Sequence, residues 1–246
     1  MAGHSHSANI AIRKGKQDAI RARMFAKLSK YLMVAARRGP DPDSNFGLRH
    51  AIELARAQSM PNDKIDYAIK KGAGLIEGQR LQELMYEGYG PGGVALIVEV
   101  ITDNLNRTRP EIFKIFEGGG GKIGATNSVM WLFKRKGLLA VKTDKISEEK
   151  LLDLVIEAGA DDLTRSGDVY EILTSPENFE PVRKALAAQK IPTEMSELKL
   201  LAENETDVDL ETARKVLTLV DRLDAHDDVS AVHHSMKMTD QIIAAL

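Results

Sequence analysis

The sequence predicts an α+β chain of three domains: an N-terminal three-helix bundle, a discontinuous α+β middle domain and a ferredoxin-like α+β domain inserted into it. Three observations predict it. Apolar residues keep a helical period as far as Gly72 and a strand period afterwards. Between residues 137 and 201 the elements read β-α-β-β-α-β, the ferredoxin-like order. Beyond a polar break at 202–209, one more helix and one more strand remain without partners of their own, and the economical place for them is the sheet begun near residue 84. The predicted boundaries are 1–76 for the bundle, 77–136 with 205–246 for the middle domain, and 137–204 for the insertion.

The elements justify this in turn. Residues 1–12 read as a polar arm, and a first helix runs from about Lys16 to Arg38. It stops at Gly39-Pro40-Asp41-Pro42, where glycine permits a left-handed cap and proline cannot continue the helix. A second helix starts near Ser44 or Asn45 and ends before Pro61; a third runs from Pro61 to Gly72 or Gly74. Leu48, Ile52 and Ala55 face Ile65, Ala68 and Ile69 as the apolar stripes of that pair. Residues 75–80 are a linker. Tyr86–Gly93 reads as a glycine-rich turn, with two tyrosines that could stack on bases, before the apolar run Val94–Ile101, a strand covered on both faces. A helix at Arg109–Glu117 ends at Gly118–Gly121, and strands follow at Ser128–Phe133 and Gly137–Val141. The remaining elements are a helix at Ser147–Ala158, strands near Asp162–Arg165 and Asp168–Leu173, a helix at Pro176–Gln189 and a strand at Pro192–Leu201. Leu210–Asp224 and Val229–His234 are the returning helix and strand.

Charge points to function. The 246 residues carry a net −2, but residues 1–72 hold 14 Lys/Arg against 6 Asp/Glu, residues 73–141 hold 8 against 7, and residues 142–246 hold 12 against 23. Balances of +8, +1 and −11 describe a basic part suited to phosphates joined to an acidic part. On a helical wheel Lys16, Arg23, Lys27, Lys30, Arg37 and Arg38 of the first helix share a sector roughly 100° wide. Ile20, Met24, Leu28, Tyr31, Leu32 and Ala35 fill the neighbouring sector, and Arg21 alone breaks the pattern. One stripe packs on the bundle while the other lays long cations along a rigid track, as phosphates require. Arg13 and Lys14 extend the track, and His4 in the arm is a candidate for a phosphate or base contact.

A second candidate lies at Asp103–Thr108. Thr108 and Glu111 are spaced as a capping box, with Pro110 in the first turn. A helix N-terminus suits an anion, and Asn104, Asn106 and Arg107 would supply donors; the competing reading is a cap and an ordered loop. Other chemistry finds little support. Cysteine is absent, which excludes disulfides, thiolate zinc sites and thiol catalysis. His4 and His6 have no further ligand near them, so no metal and no cofactor is expected. Gly118–Lys122 lacks the Ser/Thr and the glycine spacing of a phosphate loop, because Ile123 follows Lys122 and Phe116 stands where glycine is needed. Asp161-Asp162 and Asp227-Asp228 are adjacent pairs whose side chains diverge, poor general acid–base dyads. The chain reads as no enzyme. No run is long and apolar enough for a membrane span, no secretory signal opens the chain, and a cytoplasmic location is expected.

Several motifs in order resemble the YebC/PmpR family. They are the opening Met1–Ser5, Arg13-Lys14 with Gln17-Asp18 and Phe25-x-Lys27, Gly39-Pro-Asp-Pro-Asp-x-Asn45, Leu48-Arg49-x-Ala51-Ile52 and Met60-Pro61, and then Tyr86–Gly93, Asp103-Asn-x-Asn-Arg-Thr108 and Glu157–Asp162. The resemblance spans nearly the whole chain and implies the same three-domain fold. It also implies the role of a cytoplasmic DNA-binding transcriptional regulator, while some members, mitochondrial relatives among them, resemble ribosome-bound translation factors. His6-Ser7 stands where members often carry Lys-Trp, which removes an aromatic from the arm.

Two functions are therefore expected, DNA-binding regulation first and RNA binding on the ribosome, with ribosomal RNA as target, as the alternative. The alternative gains from the −11 segment, which repels duplex phosphates, and from the lack of base-reading Asn or Gln on the basic stripe. The acidic segment is expected to face away from the nucleic acid, toward solvent or a basic protein partner.

Overall fold

A computed structural model describes residues 21–77 and 81–243. Helix α1, described over 21–36, is followed by α2 (Phe46–Ala57) and α3 (Asn62–Gly72). Leu32 and Ala36 of α1 close on Leu48, Ala51, Ile52 and Ala55 of α2 and on Ile65 and Ala68 of α3, all buried. Asn45 ties the corner between α1 and α2. Its Oδ1 accepts from the Leu48 N–H at 3.1 Å, and its Nδ2 donates to the carbonyls of Ala35 (2.8 Å) and Gly39 (2.7 Å). One side chain thus caps the start of α2 and holds one carbonyl in the last turn of α1 and one in the loop beyond it. Gly72 lies against the backbone of Met33, so closely that a Cβ there would collide with the Met33 carbonyl.

The rest of the chain forms two four-stranded sheets and their helices. The first has the order β3-β1-β2-β8, from β1 (Gln82–Tyr89), β2 (Ala95–Thr102), β3 (Lys122–Ile123) and β8 (Val229–His234). Seven of the eight residues of β2 are buried, as its unbroken apolar run requires. Helix α4 (Leu105–Gly118) and helix α7 (Leu210–Asp224) accompany it, and Leu219 of α7 is seated on the bare backbone of Gly119. A short α8 (Asp240–Ile243) follows β8.

The second sheet has the order β5-β6-β4-β7, from β4 (Phe133–Lys142), β5 (Ala160–Ser166), β6 (Val169–Thr174) and β7 (Met195–Ala202). Helix α5 (Glu148–Glu157) lies between β4 and β5, and α6 (Phe179–Ala188) between β6 and β7. All three strand pairings are antiparallel, with Leu139 opposite Ile172 on one side and Ser196 on the other. Tyr170, Ile172 and Thr174 alternate inward from β6, while Leu151 and Val155 of α5 and Phe179, Val182 and Leu186 of α6 are buried. This is the ferredoxin-like unit, and the chain is α+β as the sequence predicts.

Three expectations need correction. The segment 128–133 is not a strand: Met130–Leu132 is a 3-10 turn, and β4 is one continuous strand from Phe133. Gly137 does not break it, because it makes room for the Phe179 ring and the Thr174 side chain rather than for a turn. Tyr86–Gly93 is a turn only at Pro91–Gly93, where Gly92 and Gly93 have φ of 69° and 75°; its first half belongs to β1. Helix α4 begins at Leu105, one turn earlier than expected, and Asn104 caps it by accepting from the Arg107 N–H at 3.2 Å. Thr108 is therefore a buried residue inside the helix and no cap.

By compactness the chain divides into two units. Of the described residues, one comprises those as far as Tyr86, Ile97–Ile123 and Arg214–Val232; the other comprises Glu87–Leu96, Gly124–Ala213 and those from His233.

Candidate nucleic-acid interface

The first unit contains the basic stripe of α1. The structure gives most of its described members carboxylate partners. Arg23 pairs with Asp227 at 3.2 Å, Lys27 with Asp224 at 3.4 Å and Lys30 with Asp228 at 2.5 Å. Arg37 pairs with Glu83 at 3.0 Å and donates to the Leu81 carbonyl. Lys27 also donates to the Asp224 carbonyl, and Lys30 to the Asp227 carbonyl at 2.9 Å. Arg38 is exposed. His4, Arg13, Lys14 and Lys16 lie outside the described residues. Part of the acidic segment, residues 224–228, thus meets the basic helix itself. The end of α7 and the turn into β8 lie against the cations, because opposite charges at this spacing attract and partial burial strengthens them.

Asp228 is the centre of the arrangement. It is 2 % exposed, and its two oxygens divide the work. Oδ1 takes Lys30. Oδ2 accepts from Arg107 Nη2 at 2.7 Å and from the Thr108 hydroxyl at 2.6 Å, with the Thr102 hydroxyl 3.1 Å away. Burial alone would raise this carboxyl, but the hydrogen bonds from Lys30, Thr108 and Arg107 outweigh it and hold the group well below the usual carboxylate range. The same bond raises the Arg107 guanidinium above its ordinary value.

The backbone of this turn is equally tied. The Asp228 carbonyl accepts from the Ile101 N–H at 2.8 Å, and the Asp228 N–H donates to His226 Nδ1 at 3.1 Å. An accepting Nδ1 leaves His226 Nε2 to donate to Glu111, 3.0 Å away. Beside the turn an open cleft of about 1080 Å³ is lined by Arg23, Lys30, Arg107, Lys114, Glu111 and His226, among others.

The second sequence candidate therefore joins the first. Arg107 and Lys30 meet on one carboxylate although 77 residues separate them in the chain. Asn104 is the helix cap, and Asn106 is exposed on the first turn of α4. Residue types and spacing pointed to Lys30 and Arg107 but not to Asp228. Its only local signal was a second aspartate beside it, and its partners come from distant parts of the chain.

Several cations of the bundle have no carboxylate partner among the described residues: Arg38, Arg56, Lys70 and Lys71. Arg21 and Lys64 sit over the Phe25 ring at 5.3 and 5.6 Å. Among the described residues no group of three or more His, Asp or Glu side chains could hold a metal ion, and no helix is long and apolar enough to cross a membrane.

Comparison with known proteins agrees with this architecture. The family model for the TACO1/YebC N-terminal domain matches residues 5–75, and that for the TACO1/YebC second and third domain matches residues 81–236. A "probable transcriptional regulatory protein" of Maridesulfovibrio salexigens is 44% identical over 246 residues, covering 100% of this chain and 99% of the relative. A protein of the same description from Chlorobaculum tepidum is 44% identical over 248 residues, with 100% and 99% covered. The crystal structure of a conserved hypothetical protein from Aquifex aeolicus superposes with a TM-score of 0.82 at 41% identity, covering 92% of this chain and 94% of that one. With the motifs, the helical bundle, the ferredoxin-like sheet and these matches in agreement over the length of the chain, it belongs to the TACO1/YebC family.

Proposed function

We propose that the chain is a cytoplasmic, non-enzymatic transcriptional regulator that binds DNA through cations of its N-terminal helical region. The observation that carries this is the balance of charge left after internal pairing. Four of the 14 Lys/Arg in residues 1–72 are held by described carboxylates, while Arg38, Arg56, Lys70 and Lys71 are not. Arg13, Lys14 and Lys16 add to that excess. The relatives' description as transcriptional regulators supports the choice of DNA. Phosphate contact by Arg23, Lys27 and Lys30 then requires displacing Asp227, Asp224 and Asp228. The first two are rim pairs that a phosphate can replace at little cost, while Lys30 remains with its buried partner.

One observation favours RNA on the ribosome as a second reading. The carboxylates at 224–228 interrupt the cation track of α1 that a regular duplex would follow. A large irregular RNA can reach the remaining cations from several directions.

The test is a salt titration of the full chain against labelled duplex DNA and structured RNA. Replacing Arg38, Arg56, Lys70 and Lys71 with Glu should lower the log–log salt slope by about one unit for each phosphate that no longer meets a cation. An unchanged slope in the folded variant rejects these cations as the binding surface. Promoter crosslinking against cosedimentation with ribosomes separates the two targets.

A further inference from the structure

The second unit presents a pair of exposed aromatic rings on a loop fixed from beneath. Trp131, the single tryptophan of the chain, is 68 % exposed, and Tyr89 is 39 % exposed. The indole Nε1–H and the Tyr89 hydroxyl both donate to the Ser128 carbonyl, each at 3.1 Å. One carbonyl oxygen with two lone pairs thus holds both rings side by side. Beneath them Glu87, 6 % exposed, accepts from the backbone N–H groups of Asn127 (2.6 Å), Val129 (2.8 Å) and Met130 (2.8 Å). Asn127 is held at φ 65°, and the Gly124 N–H donates to the Glu87 carbonyl at 2.8 Å. A buried carboxylate spent on three loop amides fixes the loop, and the loop displays its largest apolar side chain to water.

We propose that Trp131 and Tyr89 form a stacking platform for an unpaired base of single-stranded nucleic acid. The proposal rests on the reading that the chain binds nucleic acid and names where a base, rather than a phosphate, is engaged. Charge selects this occupant over an apolar protein partner. Residues 124–136 contain Lys134, Arg135 and Lys136 and no Asp or Glu. Lys134 pairs with Glu203 at an exposed position and half-buried Lys136 with exposed Asp161, pairings that a phosphate can replace. Aromatic rings on a loop that leads directly into three cations in the chain suit a strand whose bases stack while its backbone meets the cations. A duplex cannot use the platform, because its base faces are already stacked.

The single tryptophan is its own reporter. The full chain is titrated with oligo-U, oligo-dT and a duplex of about 12 nucleotides, with indole fluorescence and the anisotropy of labelled strands followed together. Single strands should quench Trp131 on binding, and the duplex should not. Trp131→Ala should weaken single-strand binding roughly tenfold, leave duplex binding unchanged and leave the salt slope unchanged, since every cation that meets a phosphate is still in place. Tyr89→Phe keeps the ring but loses its bond to the Ser128 carbonyl, and should bind between the parent and Tyr89→Ala. Single-strand binding without quenching, or a Trp131→Ala variant that binds every strand as the parent does, overturns the platform alone and leaves the surface to a protein partner. No binding of any strand, with or without Trp131, overturns the nucleic-acid reading beneath it.

Discussion

A carboxylate removed from water keeps its charge only where neighbours replace the lost hydration. Asp228 has Lys30, Arg107 and Thr108 for this, and its folded-state pKa is depressed by them. The linkage then has a definite sign. The stabilisation is fully present above the ordinary aspartate range near pH 4 and is withdrawn as pH falls toward the lower folded value. Asp228→Asn should therefore flatten the acid limb of a stability–pH profile measured by denaturant midpoint. A limb unchanged by the substitution would assign acid sensitivity to other carboxylates. Asp228→Ala leaves Lys30 without its buried carboxylate, while half-exposed Arg107 keeps Asp103, and should cost about 1–3 kcal/mol. Arg107→Ala should lower the melting temperature as well as any binding. That outcome differs from the sequence expectation of a ligand contact, because the guanidinium supports a buried charge. Lys30 and Arg107 were legible as candidates from residue type and helix position. Asp228 was not, since helical and strand periods report which face a residue occupies and carry no information on what a distant segment brings to it.

Helix ends and close approaches decide how the elements meet. Asn45→Ala removes one cap bond to Leu48 and two bonds to the carbonyls of Ala35 and Gly39. It should cost about 2 kcal/mol, the upper part of the range for cap residues, read from urea unfolding of the full chain. Asn45→Asp should retain the bond to Leu48 and lose the other two, so it should fall between Ala and the parent. Gly72→Ala should destabilise despite the higher helix propensity of alanine, because its Cβ has no place beside Met33. A stabilised variant would mean that α1 and α3 can separate at this crossing without loss. The bundle helices were readable because glycine, proline and asparagine punctuate them. The sequence places the start of α4 one turn late because Thr108 and Glu111 imitate a capping box, whereas Asn104 supplies the actual cap. In sequence Gly137 reads as a break in β4 because a glycine between a cationic run and an apolar run looks like punctuation. Its reason is the Phe179 ring, contributed by α6.

Across the molecule the ferredoxin-like order is legible because its six elements follow one another without interruption, although β4 takes as one neighbour β7, from the far end of the unit, with Phe133 opposite Ala202. The discontinuous sheet was found by elimination, from a helix and strand with nowhere else to go. What elimination could not reveal is that the returning segment brings acid onto the basic helix. High salt should loosen the exposed pairs Arg23–Asp227 and Lys27–Asp224 and spare Lys30–Asp228. Protease accessibility of α1 at low and high salt would read this, and a helix equally protected at both would reduce the outer pairs to incidental neighbours. The distance along the chain between these partners has a consequence for synthesis. Lys30 leaves the ribosome some 198 residues before Asp228. Throughout that interval the cations of α1 have no carboxylates from 224–228 to meet, and β2 lacks the neighbour that β8 will supply. Local helices can form early, but closure of the sheet and neutralisation of α1 are late, long-range events. During its own translation the protein thus passes through a stage in which its basic helix is bare, beside the densest concentration of RNA phosphate in the cell.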